Sequence, residues 1–299
     1  MEKLWYNTCK CYATVFLWRA DYYSYIGKGR LETMKLTMLG TGMAIVKNNY
    51  NTCFVLSEEE QHFLVDGGGG SQILKILEEK KISLLGIHDI FVSHGHTDHV
   101  LGIIWVVRMI GHMIAAGKYQ GDFRIYCHSE LSEGIQQMCQ ITLGSKITEL
   151  FGNRILFIPV ESGQRVKILN KEVEFFDLYS TKMKQFGFVI YREGGEKLVF
   201  CGDEPLDAKN IAIAKDADWM MHEAFCLYSE RDIFKPYEKS HSTVKDACEL
   251  ATELAIKNLL LYHTEDSHGT ERKSLYIAEG QQYYQGELYV PDDGEELCV

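Results

Sequence analysis

The sequence predicts an α/β protein on three observations. Short apolar runs of strand length alternate with segments whose apolar residues recur at helical spacing. Glycines and aspartates close many of those runs in turns. The histidines and carboxylates of chemical interest fall just past predicted strands, on the rim where α/β proteins assemble sites. The chain of 299 residues is 46% hydrophobic and 24% charged, the composition of a globular protein with a substantial core. Its net charge of −11 argues against broad electrostatic capture of nucleic acid, while a local basic patch stays compatible with it. Nine cysteines lie scattered without framework spacing, which predicts free thiols in a reducing cytoplasm.

The first 33 residues hold two tryptophans, five tyrosines and one phenylalanine, and Met34 then opens MKLTMLGTGMA. They read either as an aromatic-rich extension that packs on the domain or a partner, or as sequence upstream of a natural start at Met34. Lys10 and Arg19 interrupt the apolar stretch and no small-residue cleavage site follows, which argues against a secretory signal. Residues 34–299 read as one domain, and no apolar run in the chain reaches the length of a membrane span.

Lys35–Leu39 is a predicted strand that ends in the turn Gly40-Thr41-Gly42. Cys53–Leu56 and Phe63–Val65 are strands, the second ending in Asp66 and four glycines, and Ser71–Lys80 is an amphipathic helix. Ile87–Val92 is a strand that delivers His94–His99, and Leu101–Ile110 follows as a buried helix. Phe123 to Tyr191 reads as mixed strands, helix and turns. Leu198–Cys201 leads to Asp203, Trp219–Met221 to His222-Glu223, and Leu259–Tyr262 to His263. Val244 to Ala255 carries helical spacing behind a Ser242 or Thr243 cap. The acidic tail PDDGEELCV is expected to be loose.

The run FVSHGHTDHVLG carries the chemistry. His94 and His96 sit on a turn where two imidazoles can converge on one ion, and Asp98-His99 can face a second ion beside it. Zinc and similar borderline metals take imidazole nitrogen and carboxylate oxygen, and a catalytic site leaves one position open to water. The plain alternative is a hydrogen-bonded polar turn. The full His-x-His-x-Asp-His, after a strand and before a helix, favours metal.

This motif resembles the signature of the metallo-β-lactamase superfamily, and the resemblance runs from Lys35 to about Glu265. It implies a four-layer αββα sandwich with a dinuclear metal centre on one rim. By the same resemblance, His94 and His96 serve the first ion, Asp203 in VFCGDEP bridges both, and His263 in LLLYHTED completes the second site with Asp98 and His99. The blocks GTGMA, VDGGGG, SHGHTDHVLG, MHEAF and HSTVKDA are similar, in this order, to those of the ribonuclease Z-like group. That likeness implies a phosphodiesterase or ribonuclease in which His241 acts at the phosphate as proton donor or charge stabiliser, Glu223 orients it, and Asp98 orients or deprotonates the attacking water. The implied cofactor is one or two divalent transition metals, Zn2+ first, with Mn2+ or Fe as alternatives. The expected partners are a phosphodiester substrate, RNA included, and a second copy of the chain in a cytoplasmic homodimer, without a membrane.

Two departures from the pattern bear on function. A third histidine normally completes the first site, yet Tyr179, Ser180 and Thr181 stand in its block, and between His128 and His222 the chain has no histidine. Either of those two remains open as a substitute. The interval from His99 to Asp203 is 104 residues (203 minus 99), most of it needed for core elements, so no basic arm for gripping transfer RNA is visible there. Two rival readings therefore stand beside the phosphodiesterase: a hydrolase of small esters, thioesters or lactones, and a metal-binding interaction module with weakened catalysis.

Overall fold

Strands whose successive side chains are buried on both faces must be sandwiched between two cores, and that is what their sequences dictate here. In the computed structural model, which describes residues 34–299, Phe63 and Val65 enter one core while Leu64 between them enters another. Leu198 and Phe200 likewise oppose Val199, and Leu260 opposes Leu259 and Leu261. The aromatic-rich segment 1–33 lies outside the described residues.

Among the described residues, fourteen strands form two sheets. The first contains β1 (Lys35–Gly40), β2 (Cys53–Glu58), β3 (Gln61–Val65), β4 (Ile87–Phe91), β5 (Phe123–Cys127) and β6 (Ile155–Pro159). The second contains β7 (Arg165–Ile168), β8 (Lys171–Asp177), β9 (Phe186–Tyr191), β10 (Lys197–Phe200), β11 (Trp219–Glu223), β12 (Asn258–Tyr262) and β13 (Glu287–Tyr289). β14 (Glu296–Cys298) returns to the first sheet, giving the orders β14-β1-β2-β3-β4-β5-β6 and β13-β12-β11-β10-β9-β8-β7. In each sheet the strands that end at the candidate site residues run parallel: β3 to β6 in the first, β10 to β13 in the second. Parallel strands put their carboxyl ends on one rim, and the site is built there.

Helices α1 (Gln72–Glu79), α2 (Thr97–Ala115) and α3 (Ser129–Thr142) cover the outer face of the first sheet. Helices α4 (Val244–Glu253) and α5 (Arg272–Gly280) cover the second. The layers are therefore αββα, the metallo-β-lactamase sandwich. Between the sheets lies an aromatic core in which Phe91 stacks on Phe175 at 5.1 Å, Phe54 meets Phe200 edge-on at 5.2 Å and Phe188 lies 5.3 Å from Phe200. Truncating one of these rings to alanine costs about 3–5 kcal/mol.

Three local outcomes differ from the sequence expectation. α2 starts at Thr97, so Asp98 and His99 belong to its first turn. It has 19 residues and a mean hydropathy of 1.3, long and apolar enough by composition to cross a membrane, contrary to the sequence reading. Its Val100, Ile103, Val106, Val107 and Ile110 are instead buried against the first sheet. The acidic tail is also ordered: β14 pairs with β1, and Asp293 accepts hydrogen bonds from Thr41 N (2.9 Å), Thr41 Oγ1 (2.8 Å) and Tyr50 N (2.5 Å).

Two of the four glycines after β3, Gly67 and Gly68, have a packing reason. Gly67 N donates to His99 O at 2.8 Å and Gly102 N donates to Gly68 O at 2.9 Å, so backbone meets backbone. A Cβ on Gly102 would fall 1.7 Å from Gly67 O, which no repacking accommodates. This contact seats the first turn of α2, and with it the signature, against the end of β3.

Candidate metal centre

Five strand ends deliver the site. β3 hands on to Asp66 in a left-handed conformation (φ 57°), and β4 leads through Ser93 to His94. β10 leads to Asp203, β11 carries Glu223 as its last residue, and β12 hands on to His263, also left-handed (φ 58°). All of these side chains are buried, His94 to 0% exposure and Asp203 to 3%.

The geometry converges on one atom. Asp203 Oδ2 has His94 Nε2 at 3.3 Å, His99 Nε2 at 3.5 Å and His263 Nε2 at 3.6 Å. Asp98 Oδ2 adds a second carboxylate 3.4 Å from His99 Nε2. Donors bound to one ion at ~2.0–2.2 Å in tetrahedral geometry stand roughly 3.3 Å apart, so these spacings are those of a ligand shell. Two overlapping groups of ligand atoms result, His94 with His99 and Asp203, and Asp98 with His99 and His263.

Hydrogen bonds on the far side of each ring set the tautomers. Asp66 accepts from Ser93 N (2.8 Å), from Ser93 Oγ (2.7 Å) and from His99 Nδ1 (2.8 Å). Ser93 Oγ, having donated to Asp66, accepts from His94 Nδ1 at 3.0 Å. Thr52 Oγ1 donates to Gly42 O and stands 3.2 Å from His263 Nδ1. Each imidazole thus turns Nδ1 to a protein oxygen and Nε2 to the centre, the arrangement that orients metal-ligating histidines.

Charge tells the same story. Burial would lower His99, but the charge and hydrogen bond of Asp66, with the carboxylates of Asp203 and Asp98 close to Nε2, raise it well above the ordinary histidine value. Burial opposes ionisation of Asp203, and the charges and hydrogen bonds of His94 and His99 still hold it well below the carboxylate range. Asp98 is likewise held low: burial works against it, and His99 outweighs burial. His263 is pushed down to about 3, chiefly by burial, and so stays a neutral ligand. A buried cluster that needs positive charge, with His99 Nε2 and Asp203 Oδ1 lacking any hydrogen-bond partner, fits a divalent cation.

His96 stands apart from these groups. It is half-buried, its Nδ1 lies 2.8 Å from His94 Nε2, and burial together with the charge of His94 lowers its pKa. His241 lies on the rim, its ring stacked on Phe225 at 4.7 Å and 5.3 Å from the ring of His263. Its Nδ1 is 3.7 Å from Glu223 Oε2, an ion-pair distance longer than a hydrogen bond, while Glu223 Oε1 accepts from Ser242 N. Burial would lower His241, yet Glu223 and Asp203 raise it above the ordinary value.

The block lacking the third histidine is resolved residue by residue. Tyr179 is 43% exposed and its ring lies under Lys209 Nζ at 3.9 Å, so it does not furnish the site. Ser180 does reach inward, donating from Oγ to Glu204 Oε1 at 2.9 Å. His128 caps α3 by accepting from Leu131 N at 3.4 Å, and His222 Nδ1 lies 2.7 Å from Glu223 O. Among the described residues neither joins a group of metal-ligand atoms, so neither fills the vacancy.

Sequence reasoning flagged Asp66 by its strand-end position and missed its task. It missed Ser93, Thr52 and Glu204 altogether. Glu204 was adjacent to Asp203 in GDEP, and burial raises its pKa, with hydrogen bonding from Ser180 opposing and the charge of Asp203 adding. Lys182, exposed two residues beyond Ser180, carries a charge that favours ionised Glu204 and opposes protonation of His241.

Known proteins fall in line with this geometry. Ribonuclease Z of Synechocystis sp. is 27% identical over 278 residues, covering 77% of this chain and 82% of the relative. Among solved structures, the short form of human tRNase Z superposes with a TM-score of 0.69 at 20% identity, covering 89% of this chain and 99% of that one. The metallo-beta-lactamase fold protein YhfI from Bacillus subtilis gives 0.68 at 19% identity, with the same coverages of 89% and 99%. A single family model, described as "Anti-Pycsar protein Apyc1", spans residues 34–284 and takes in every strand end and ligand described above. The chain thus has the metallo-β-lactamase fold and belongs to the Anti-Pycsar protein Apyc1 family.

Proposed function

We propose that this protein is a metal-dependent phosphodiester hydrolase, a phosphodiesterase or ribonuclease. The observation that carries this is the convergence of His94, His99 and His263 on one oxygen of Asp203, with His241 and Glu223 on the rim beside them. His94, Asp98, His99, Asp203 and His263 would hold the metal, with His96 adjacent to His94. A bound divalent cation supplies Lewis acidity toward water and phosphoryl oxygen.

The chain's own residues do the rest. Asp98, held ionised below the carboxylate range, is a weak base; its part is to orient the attacking water. As the new P–O bond forms the attacking water gives up a proton to solvent, and as the leaving P–O bond breaks the leaving oxygen needs one. His241 donates it, and Glu223 keeps it charged for that purpose. Neither the small-ester reading nor the metal-binding interaction module has a use for His241 and Glu223 beside the ligands.

The relatives named Ribonuclease Z support RNA as the substrate class. The net charge of −11 and the absence of a basic arm in the sequence favour a short or small phosphodiester over structured RNA. The family description, anti-Pycsar, supports a substrate within that system. Zn2+ is our reading of the metal, from its nitrogen and oxygen donor set. We propose a cytoplasmic location, whose reducing environment suits the six buried free cysteines among the described residues. We further propose a homodimer joined through the outer face of α2. There Trp105, 41% exposed, lines an apolar cavity of about 260 Å³ with Leu101, Ile104 and Leu143.

Turnover of bis(p-nitrophenyl) phosphate tests the class. His241→Ala should lower it at least about a hundredfold, the low end for general acid catalysis, while elemental analysis shows unchanged metal. Full activity in that variant would return weight to ester hydrolysis.

A further inference from the structure

The geometry points to another metal site, apart from the catalytic cluster: we propose that Glu230, Glu265 and His268 bind a divalent transition-metal ion. Glu230 closes the helical turn Tyr228–Glu230, and Glu265 and His268 lie three residues apart on the loop after β12. One ligand atom from each falls within 4.8 Å of the others. His268 Nε2 stands 2.9 Å from Glu230 Oε2 and 3.7 Å from Glu265 Oε1. These spacings bracket the roughly 3.3 Å expected between donors on one tetrahedral ion.

Glu265 supplies the independent observation. The residue is only 1% exposed; its Oε2 accepts from Ser267 N at 2.6 Å, while Oε1, turned to His268, is buried without a hydrogen-bond partner. Leaving a carboxylate oxygen dry and unpaired is costly, so native structures place a donor or a cation there. Two carboxylates with a neutral imidazole carry two negative charges, which a divalent ion balances. The imidazole nitrogen selects a transition metal over calcium, whose ligands are oxygens.

The rival occupant is a proton on His268. Hydrogen bonding to Glu230 raises that histidine above its ordinary value, with burial opposing. Such a proton satisfies Glu230, yet Glu265 Oε1 at 3.7 Å stays beyond hydrogen-bond reach. A metal ion reaches both.

This site shares no ligand with the catalytic groups. It ties the loop that starts at His263 to the segment that leads to His241, and so braces two walls of the centre. Because its ligands are separate, its occupancy is measurable whether or not the hydrolase reading holds.

The experiment strips the full-length protein with a chelator, reloads it with Zn2+ and counts ions by elemental analysis after desalting. His268→Gln, which keeps a polar side chain at a partly exposed position, should hold one zinc equivalent fewer than the wild type. Asp203→Ala, emptied of its catalytic ions, should retain one equivalent, with a Co2+ absorption band in the visible that the Asp203→Ala/His268→Gln double variant lacks. Glu230→Gln, on the partly exposed turn, guards against a folding defect and should lose the same equivalent. Equal zinc content in His268→Gln, Glu230→Gln and wild type would overturn the proposal, as would an Asp203→Ala protein that folds by circular dichroism and binds no zinc.

Discussion

The two halves of the catalytic cluster are furnished unequally. Around His99 and His263 each imidazole is held from behind, by Asp66 at 2.8 Å and Thr52 at 3.2 Å, and two carboxylates, Asp98 and Asp203, face it. Around His94 and His96 only His94 is held from behind, by Ser93 Oγ at 3.0 Å, while His96 leans on His94 at 2.8 Å, and in the block without a histidine the Ser180 hydroxyl is already given to Glu204. A ligand set is only as strong as its least oriented member, because each unheld ring must be ordered when the metal binds. The comparison teaches that two halves sharing Asp203 can be furnished unequally, and on the proposed function they should differ in affinity for metal.

The largest effect should come from the residue both halves share. Asp203→Ala removes the oxygen on which three imidazoles converge. Metal at a phosphoryl centre is worth several kcal/mol of transition-state stabilisation, so turnover of a chromogenic diester should fall by about 10³-fold or more. Both catalytic ions should be lost in elemental analysis. Retention of one of them would show that the halves stand independently and that Asp203 is no bridge.

Asp66→Asn strikes the well-furnished half first, touching His99 directly and His94 only through Ser93. Asparagine tolerates the left-handed backbone at this position, so the chain should fold. Losing one acceptor behind His99 should weaken the tighter metal event by about 10–100-fold, the usual cost of a lost orienting partner. The weaker event should move less, and isothermal titration of the apo-protein separates the two.

Substitutions in the vacant block address the other half. Metal added to the apo-protein should bind in one tight and one weaker event. Ser180→His places an imidazole at the position that reaches Glu204 beside the cluster, and should tighten the weaker event by about tenfold, the lower range for a well-oriented ligand shell. Tyr179→His should change neither event, since residue 179 faces Lys209 and solvent. Two equally tight events in the unmodified protein would dissolve the asymmetry.

How far this was legible beforehand depended on distance along the chain. Strand ends and the ligands that follow them are local patterns, so His94 to His99, Asp203 and His263 could be read from runs of a dozen residues. The start of α2 was misplaced to Leu101 because the signature's polar ligands mask the helical period in its first turn. Asp66 showed only as a polar residue after a strand; its partners Ser93 and His99 lie 27 and 33 residues on. The tail looked loose because its composition is acidic, yet Asp293 is anchored by Thr41 from 252 residues away, a pairing no local pattern encodes. The failures are long-range hydrogen bonds, and each of them supports the site or its sheet.

The smallest effect separates proton delivery from metal binding. His241 borders the complete half, 5.3 Å from His263, and its acid function depends on Glu223 rather than on a metal ligand. Glu223 raises the folded-state pKa of His241 above the ordinary 6.5 even though burial opposes the charge. A proton donor with a raised pKa is charged at every pH below that value, so turnover should hold through neutrality and fall as pH rises through the raised pKa. Glu223→Gln keeps an acceptor for Ser242 N and removes the charge. Burial then acts with less opposition, the pKa of His241 drops, and the descending limb of the pH–kcat profile moves to lower pH. A displacement of about one unit corresponds to roughly 1.4 kcal/mol of lost ion-pair support. At acid pH, where His241 is protonated in both proteins, the rates should converge, which a misfolded or metal-poor variant would not do. An unmoved limb with a uniformly lower rate would instead make Glu223 a packing residue, and would leave His241 without the charge that its role requires.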